Sequence, residues 1–66
     1  MQVQVNGNPR KLPAGSTITY LIEQLELSGQ RMAIDVNEEV IPRGEHSTFV
    51  LSEGDTIEVV NAVGGG

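Results

Sequence analysis

The stretch STITYLIEQL, from Ser16 to Leu25, decides the fold of this chain. Its apolar side chains recur at i, i+3, i+4 and i+7, which places four of them on one side of a helix: Ile18, Leu21, Ile22 and Leu25. Either Ser16 or Thr17 can cap the start of this helix, because a hydroxyl there accepts a hydrogen bond from an unpaired backbone N–H. We expect the helix to end near Leu27, with Gly29 as a left-handed cap.

Strand patterns flank the helix on both sides. Before it, residues 2–6 alternate polar and apolar side chains, and Asn6-Gly7 permits a tight turn into a second strand at residues 9–12. After it, the sequence predicts short strands or apolar steps at residues 32–36, 40–41, 48–51 and 56–60, with a tight turn at residues 53–55. Since one helix covers only one face of a sheet, we predict an α+β fold: a mixed sheet of four to five strands with the helix packed on one face.

Length and composition bound the class of protein. A chain of 66 residues is too short for two cores, so we expect one domain at residues 1–60 and a flexible C-terminal glycine tail at residues 61–66. Cysteine is absent, and because small secreted folds usually need disulfides, this indicates a reducing compartment, most simply the cytoplasm. No apolar run is long enough to cross a bilayer, so a membrane partner is not expected.

The net charge of −5 is concentrated in the second half of the chain. Residues 1–33 hold two acids and three bases, whereas residues 34–66 hold seven acids and one base. This balance argues against nucleic acid as a partner, because phosphate binding needs the opposite sign. Two interpretations of the acidic half stay open. It provides solubility, or it steers the chain towards a basic docking surface through Glu53, Asp55 and Glu58.

The side chains offer little material for catalysis. With one histidine and no cysteine, a nucleophile–base pair would depend on His46, which we expect in an exposed polar loop. One imidazole with scattered carboxylates is poor material for a metal site. The terminal glycines are not a phosphate-binding loop, because no helix follows them. We therefore predict a protein that is not itself an enzyme and that has no cofactor-binding or metal site.

The terminal segment offers a reactive group of its own, the α-carboxylate of Gly66, which is ionised at neutral pH because such groups titrate near ~3.5. Its oxygen can attack the α-phosphate of ATP to give an acyl-adenylate, from which a sulfur nucleophile displaces AMP and leaves a thiocarboxylate. Glycine suits this chemistry because it has no Cβ to crowd the carbonyl. We predict that Gly66 is the reacting residue. We also predict that the partner binds the segment before it, which consists of Ala62, Val63, Gly64 and Gly65.

Taken together, the chain resembles the ThiS family, the ubiquitin-like sulfur carriers of thiamine biosynthesis that have the β-grasp fold. The resemblance covers essentially the whole chain, and the segments that carry it are residues 3–6, 13–18 with 21–22, 34–37, 40–43, 51–58 and 62–66. The last two segments are the most specific. The family often has an aromatic residue shortly after the Pro-Arg pair, where this chain has Glu45-His46, so the resemblance implies nothing about that loop.

The resemblance implies partners for the Gly66 carboxylate. An E1-like adenylating enzyme of the ThiF type would activate it with ATP, and a cysteine desulfurase would supply the sulfur. A thiazole synthase of the ThiG type would then accept the sulfur to build the thiazole phosphate of thiamine.

Other functions stay open on the sequence. The small subunit of molybdopterin synthase shares the fold and the terminal glycines, and would use the same chemistry on another acceptor. A ubiquitin-like protein modifier would end in an isopeptide bond to a lysine. An adaptor domain with an inert tail would need none of this chemistry.

Overall fold

The computed structural model describes residues 1–29 and 31–61 of the chain. These residues form one five-stranded mixed sheet, with the strands β1 (Gln2–Val5), β2 (Asn8–Lys11), β3 (Met32–Val36), β4 (Glu39–Ile41) and β5 (Thr56–Asn61). Helix α1 (Ile18–Gln24) connects β2 to β3, and a 3₁₀ turn (Arg43–Glu45) follows β4. The strand order is β2-β1-β5-β3-β4, so the last strand lies at the centre.

The directions of the strands follow from the connections between them. β1 and β2 are antiparallel, as are β3 and β4, because each pair is joined by a two-residue turn. β5 runs parallel to β1 and antiparallel to β3. The predicted mixed sheet of four to five strands with one helix on one face is therefore confirmed for the part of the chain that the structure describes.

The core lies between α1 and one face of the sheet. Ile18 and Leu21 of the helix are fully buried, and they face Ile34 of β3 and Ile57 of β5, which are also fully buried. The remaining buried apolar side chains are Val3, Val5, Leu12, Val36, Ile41 and Leu51. Burying one aliphatic side chain of this size contributes about 1.5–3 kcal/mol, so the predicted apolar stripe is the main stabilising feature of α1.

Both ends of α1 are capped, although the C-terminal cap differs from the prediction. Thr17 is the N-cap, and its hydroxyl accepts a hydrogen bond of 3.1 Å from the backbone N–H of Tyr20. At the other end the helix stops at Gln24, and the first left-handed residue is Glu26 (φ 60°), not Gly29.

The early end of the helix is a Schellman motif. The N–H of Leu27 donates to the carbonyl of Ile22 (3.1 Å), and the N–H of Glu26 donates to the carbonyl of Glu23 (3.0 Å). These bonds satisfy two carbonyls that the helix leaves unpaired, and they turn the half-buried Leu27 back towards the molecule. The prediction of Gly29 as the cap was wrong because this hydrogen-bond pattern outweighs the preference of glycine for a positive φ.

Residues 48–51, predicted as a strand, do not join the sheet. Instead this segment pairs with the start of the helix, through an isolated bridge between Thr17 and Val50. The N–H of Ile18 donates to the carbonyl of Phe49 (3.2 Å) on one side of the bridge. Since the segment's backbone groups are used in this way, the prediction of a further sheet strand was wrong.

No helix within residues 1–29 and 31–61 combines the length and the apolar character needed to span a bilayer.

Two hairpin turns have the same geometry but different residues. Asn6 (φ 51°) and Gly7 (φ 85°) join β1 to β2, as predicted, while Asn37 (φ 53°) and Glu38 (φ 69°) join β3 to β4. A two-residue turn with positive φ at both positions is type I′, which favours the pair Asn-Gly. Glu38 therefore has a strained backbone conformation, because a positive φ brings its Cβ too close to a backbone carbonyl oxygen.

Glu38→Gly is expected to raise the free energy of unfolding by about 0.5–1 kcal/mol, because glycine adopts the left-handed conformation without a Cβ clash. The reciprocal change, Gly7→Glu, should lower it. Urea unfolding monitored by circular dichroism measures both effects. Glu38→Ala is the matched control, since it removes the charge but keeps the clash. A gain in Glu38→Ala as large as that in Glu38→Gly would show that charge, not backbone strain, is the cause.

Candidate functional site

The predicted reacting residue, Gly66, and the predicted partner-binding residues, Ala62, Val63, Gly64 and Gly65, lie outside the residues that the structure describes. The structure does show where they continue from the fold. β5 runs to Asn61, one residue beyond the predicted end of the strand, and occupies the centre of the sheet. We call the end of this strand, residues 59–61, the tail root.

Asn6 holds the tail root from the side of β1. Its backbone N–H donates to the carbonyl of Ile57 (2.9 Å), which completes the parallel pairing of the two strands. Its side-chain Oδ1 then accepts from the N–H of Val59 (2.8 Å), and its Nδ2 donates to the carbonyl of Val59 (3.3 Å). The amide therefore takes the place of a further backbone peptide, because it offers both a donor and an acceptor.

Asn37 holds the start of β5 in the same way from the side of β3. Its backbone N–H donates to the carbonyl of Thr56 (2.7 Å), and its Oδ1 accepts from the N–H of Thr56 (3.0 Å). Its Nδ2 also donates to a carboxylate oxygen of Asp55 (3.1 Å). Asparagine is favoured at both places because it tolerates the left-handed conformation that follows a strand end. From the sequence we predicted Asn6 only as part of a tight turn, and the contacts of both asparagines with β5 were missed.

Two of the three acids named in the steering interpretation, Glu53 and Asp55, have structural roles. A carboxylate oxygen of Glu53 accepts from the N–H of Gln2 (3.0 Å), and the second oxygen of Asp55 accepts from the N–H of Ser52 (2.8 Å). The bond from Gln2 fastens the predicted turn at residues 53–55 to β1. The bond from Ser52 closes the turn directly before β5 begins. The third acid, Glu58, lies on β5, and its side chain is exposed.

The sheet has an outer face, opposite α1, that reaches the tail root. It is formed by the strand residues that alternate with the buried ones, and on the three strands β3, β4 and β5 these are Ala33, Asp35, Val40, Thr56, Glu58 and Val60. Val40 and Val60 are large apolar side chains that are 66% and 61% exposed. Asp35 lies directly opposite Glu58 in the antiparallel register. The sequence alone could not show this pair, because it depends on the register between distant strands.

A groove lies on the other side of the tail root, between the β1–β2 hairpin and the end of α1. It has a volume of about 330 Å³, and its walls include the apolar side chains of Leu25, Leu27 and Val59 together with Asn6 and Arg10. The guanidinium of Arg10 donates to the carbonyl of Gln24 at the end of the helix (3.3 Å). A cation at this position interacts favourably with the helix dipole, which gives Arg10 a structural role.

His46 is buried, so the prediction that it lies in an exposed loop was wrong. Its side chain is 7% exposed, and Nε2 lies 3.1 Å from the carbonyl oxygen of Ile41. Since a carbonyl only accepts, Nε2 is the donor in this bond. The carbonyl of His46 in turn accepts from the N–H of Thr19 (3.0 Å), which holds the loop against the start of α1. This imidazole fixes the loop, and no pattern in the sequence marks it as buried.

Within residues 1–29 and 31–61, no group of three or more His, Cys, Asp or Glu side chains is placed to hold a metal ion.

Comparison with known proteins agrees with this geometry. The pattern of the ThiS family matches residues 3–66. The chain belongs to the ThiS family. The sulfur carrier protein ThiS of Escherichia coli strain K12 is 29% identical over the full length of both chains. The crystal structure of the thiamine biosynthesis protein ThiS from Geobacter metallireducens covers all of both chains, with a TM-score of 0.84 and 26% identity. The expected β-grasp fold is thereby confirmed.

Longer relatives contain a segment similar to this ThiS-family chain. A thiazole synthase of Magnetococcus marinus is 38% identical over 66 residues, which are all of this chain and 20% of that protein. A thiazole synthase of Paramagnetospirillum magneticum is 29% identical over the same share. The chain therefore spans about a fifth of the length of these two relatives.

Asn6→Ala is expected to lower the free energy of unfolding by about 1 kcal/mol, because it removes both side-chain bonds to Val59. The variant should also loosen the tail root itself, so hydrogen exchange at the amide of Val59 should become faster than at the amide of Ile57. Asn8→Ala is the control, since Asn8 is an exposed residue on the other side of the same turn. Equal exchange at Val59 in the two variants would contradict a role for the Asn6 amide at the tail root.

Proposed function

We propose that this chain is a sulfur carrier of thiamine biosynthesis whose Gly66 carboxylate is adenylated and then converted to a thiocarboxylate. The observation that carries this proposal is the family match, which extends through the terminal glycines to residue 66. A relative of the same extent, from Escherichia coli, is named a sulfur carrier protein. The ThiS protein of Geobacter metallireducens, which shares the fold of this chain, is named for thiamine biosynthesis.

The proposed chemistry takes place on the terminal carbonyl in two steps. In the first, a carboxylate oxygen of Gly66 attacks the α-phosphorus of ATP, and pyrophosphate leaves. In the second, a sulfur nucleophile attacks the carbonyl carbon, a C–S bond forms, and the bond to the oxygen of AMP breaks. AMP is a good leaving group because the adenylate is a mixed anhydride. An E1-like adenylating enzyme of the ThiF type would catalyse the first step, and a cysteine desulfurase would provide the sulfur as a persulfide. The acyl disulfide that a persulfide forms would then be reduced by a thiol, which releases the thiocarboxylate and leaves a disulfide.

The fold contributes by presenting this carboxylate at the end of a firmly held strand. The tail root pairs with β3 on one side, and on the other side Asn6 pairs with it beyond the end of β1. Five residues in extended conformation reach at most about 17 Å from Asn61. Gly66 can therefore enter a buried site of an enzyme while the sheet stays on the surface of that enzyme. The glycines suit a narrow channel since they carry no side chains.

The proposed acceptor of the sulfur is a thiazole synthase of the ThiG type. Two proteins named thiazole synthase contain a segment similar to this whole chain within their own length. Such an arrangement keeps a carrier-like segment and the rest of a thiazole synthase in one polypeptide. By the same argument, we favour thiazole synthesis over molybdopterin synthesis and over protein modification. In this proposal the chain is a cosubstrate, not an enzyme, and it works in the cytoplasm, which its lack of cysteine supports.

Incubating the purified chain with its adenylating enzyme, ATP and sulfide should replace one oxygen atom by sulfur. Intact-mass spectrometry measures the change, and fragmentation should place it at Gly66. Omitting ATP should abolish it, because the free carboxylate is a poor acyl donor.

A chain that lacks Gly65 and Gly66 is the matched control for the tail. It still ends in a carboxylate, but that carboxylate is two residues closer to the fold, so it should not reach the adenylating site. Its unfolding curve should match that of the full chain. An adaptor with an inert tail predicts instead that the shortened chain keeps its function. An unchanged mass of the full chain in the complete reaction would contradict the sulfur-carrier proposal.

A further inference from the structure

We propose that a cavity between α1 and the turn after β4 binds the chain's own C-terminus, with the Gly66 carboxylate on the guanidinium of Arg43. This contact is a resting state that withholds the carboxylate until a partner displaces it. The contact itself depends on this chain alone, whereas its consequence for adenylation rests on the proposed function. Four observations carry the proposal: the lining of the cavity, the ring of His46, the position of Arg43 and the distance from Asn61.

The cavity has a volume of about 290 Å³, and we call it the β4 pocket. Its walls combine two hydroxyls, a guanidinium and an imidazole with two apolar side chains: Thr19, Ser28, Arg43, His46, Ile22 and Met32. Within the part of the chain that the structure describes, no acid lines it, although the net charge of the chain is −5. A water molecule takes about 30 Å³ in the liquid, so the space is large enough for a terminal glycine. The pocket therefore suits a small anionic group.

The ring of His46 has one nitrogen that the fold does not use. Nε2 donates to the carbonyl of Ile41, so in the neutral ring Nδ1 is an acceptor, and it has no partner among the described residues. Every sealed side-chain nitrogen or oxygen atom of those residues does have a partner. Nδ1 is consequently open to solvent, and the β4 pocket is the space that this ring lines. It can accept a hydrogen bond from a backbone N–H.

Arg43 lies beside this ring because both residues belong to one 3₁₀ turn. The N–H of His46 donates to the carbonyl of Arg43 (3.1 Å), and side chains three residues apart in such a turn lie one above the other. Arg43 is the only base in residues 34–66, and it is exposed. Its guanidinium is a fork of N–H donors that fits a carboxylate. A terminal glycine offers the matching groups, a backbone N–H for the imidazole and a carboxylate for the guanidinium.

The tail root ends within reach of the β4 pocket. Asn61 pairs with Met32, which lines the pocket and lies on the same face of the sheet as the buried Ile34. Arg43 follows β4, and β4 is two strands away from β5, which corresponds to about 10 Å. The five residues after Asn61 span at most about 17 Å. Gly66 can therefore reach Arg43 with enough chain left for a turn.

The tether makes a weak contact sufficient. Only the last residue has to be fixed, and a short linker keeps its carboxylate at an effective concentration on the order of millimolar. A pocket whose dissociation constant for a terminal glycine is also millimolar is then occupied about half of the time. A partner that needs the unbound tail binds about twofold more weakly than it would without the pocket.

The groove beside Arg10 fits the chain's own tail less well. Arg10 pairs with Val3, which precedes the level at which Gln4 meets Thr56. That level is five residues before Asn61, or about 17 Å along the strand. The backbone of Arg10 is thus beyond the reach of a tail that also has to reverse its direction. The guanidinium of Arg10 is moreover bonded to the end of the helix.

The test removes the charge of Gly66 and observes the β4 pocket by nuclear magnetic resonance. The full chain is prepared with its free carboxylate and, by cleaving an intein fusion with ammonia, with a terminal amide of the same length. The backbone amide signals of Thr19, Ser28 and Met32 should differ between the two forms. The signal of Asn8, which lines the groove on the other side of the tail root, should not.

A pair of variants identifies the partner of the carboxylate. In Arg43→Gln, amidation should no longer move the pocket signals, because the guanidinium is missing. Lys11→Gln is the matched control, since it removes an exposed cation from the far edge of the sheet and gives the same net charge. It should keep the full response. An equal response in Arg43→Gln and the unmodified chain would overturn the proposal, as would the absence of any response at the pocket.

The consequence for adenylation is measured separately. Arg43→Gln should lower the KM of the adenylating enzyme for the chain about twofold with kcat unchanged, because the tail is then available in every molecule. Lys11→Gln should leave KM as it is. A raised KM in Arg43→Gln would assign Arg43 to the interface with the enzyme and overturn the resting state.

The two proposals fail in different experiments. If the unmodified chain is adenylated but amidation leaves the β4 pocket unchanged, the contact is wrong and the sulfur-carrier function stands. If the chain is not adenylated, that function fails, and the comparison of the two terminal forms still decides whether Gly66 binds Arg43.

Discussion

The pairing of the last strand between β1 and β3 is the constraint on which the structure and its proposed use depend. β5 is the final element of the chain that the structure describes, yet it lies at the centre of the sheet, and its Ile57 is fully buried against the helix. Two asparagines, Asn6 and Asn37, extend the pairing with their side-chain amides where the neighbouring strands end. The residues after Asn61 therefore continue from one of the best-held parts of the fold.

The position of the helix divides the sheet into a buried face and an exposed face. α1 packs on one face and adds Ile18 and Leu21 to a core whose other buried side chains come from the strands and loops, so the core forms without the outer face. That face is consequently open to selection for binding. Placing Asp35 opposite Glu58 there makes the sheet slightly less stable than a neutral pair would.

Local patterns predicted much of the fold, and non-local contacts account for the errors. The helix, its Thr17 cap and the Asn6-Gly7 hairpin each depend on residues that are close in sequence. The expectations for residues 48–51 and for His46 failed because both are decided by backbone groups at the start of the helix, at Thr17 and Thr19. The acidic pair on the outer face was invisible for the same reason, since only the register of β3 with β5 brings it together.

A carrier that reacts through its own terminus needs a docking surface for an energetic reason. Holding the residues after Asn61 extended in a channel costs on the order of 1–2 kcal/mol for each residue fixed, and glycines contribute no side-chain contacts to offset this. The affinity must therefore come from the folded part of the chain. Contacts between charged groups suit this purpose, because they speed association more than they slow release. A carrier must leave one enzyme to reach the next, so the same surface that brings Gly66 to its site must also let it go.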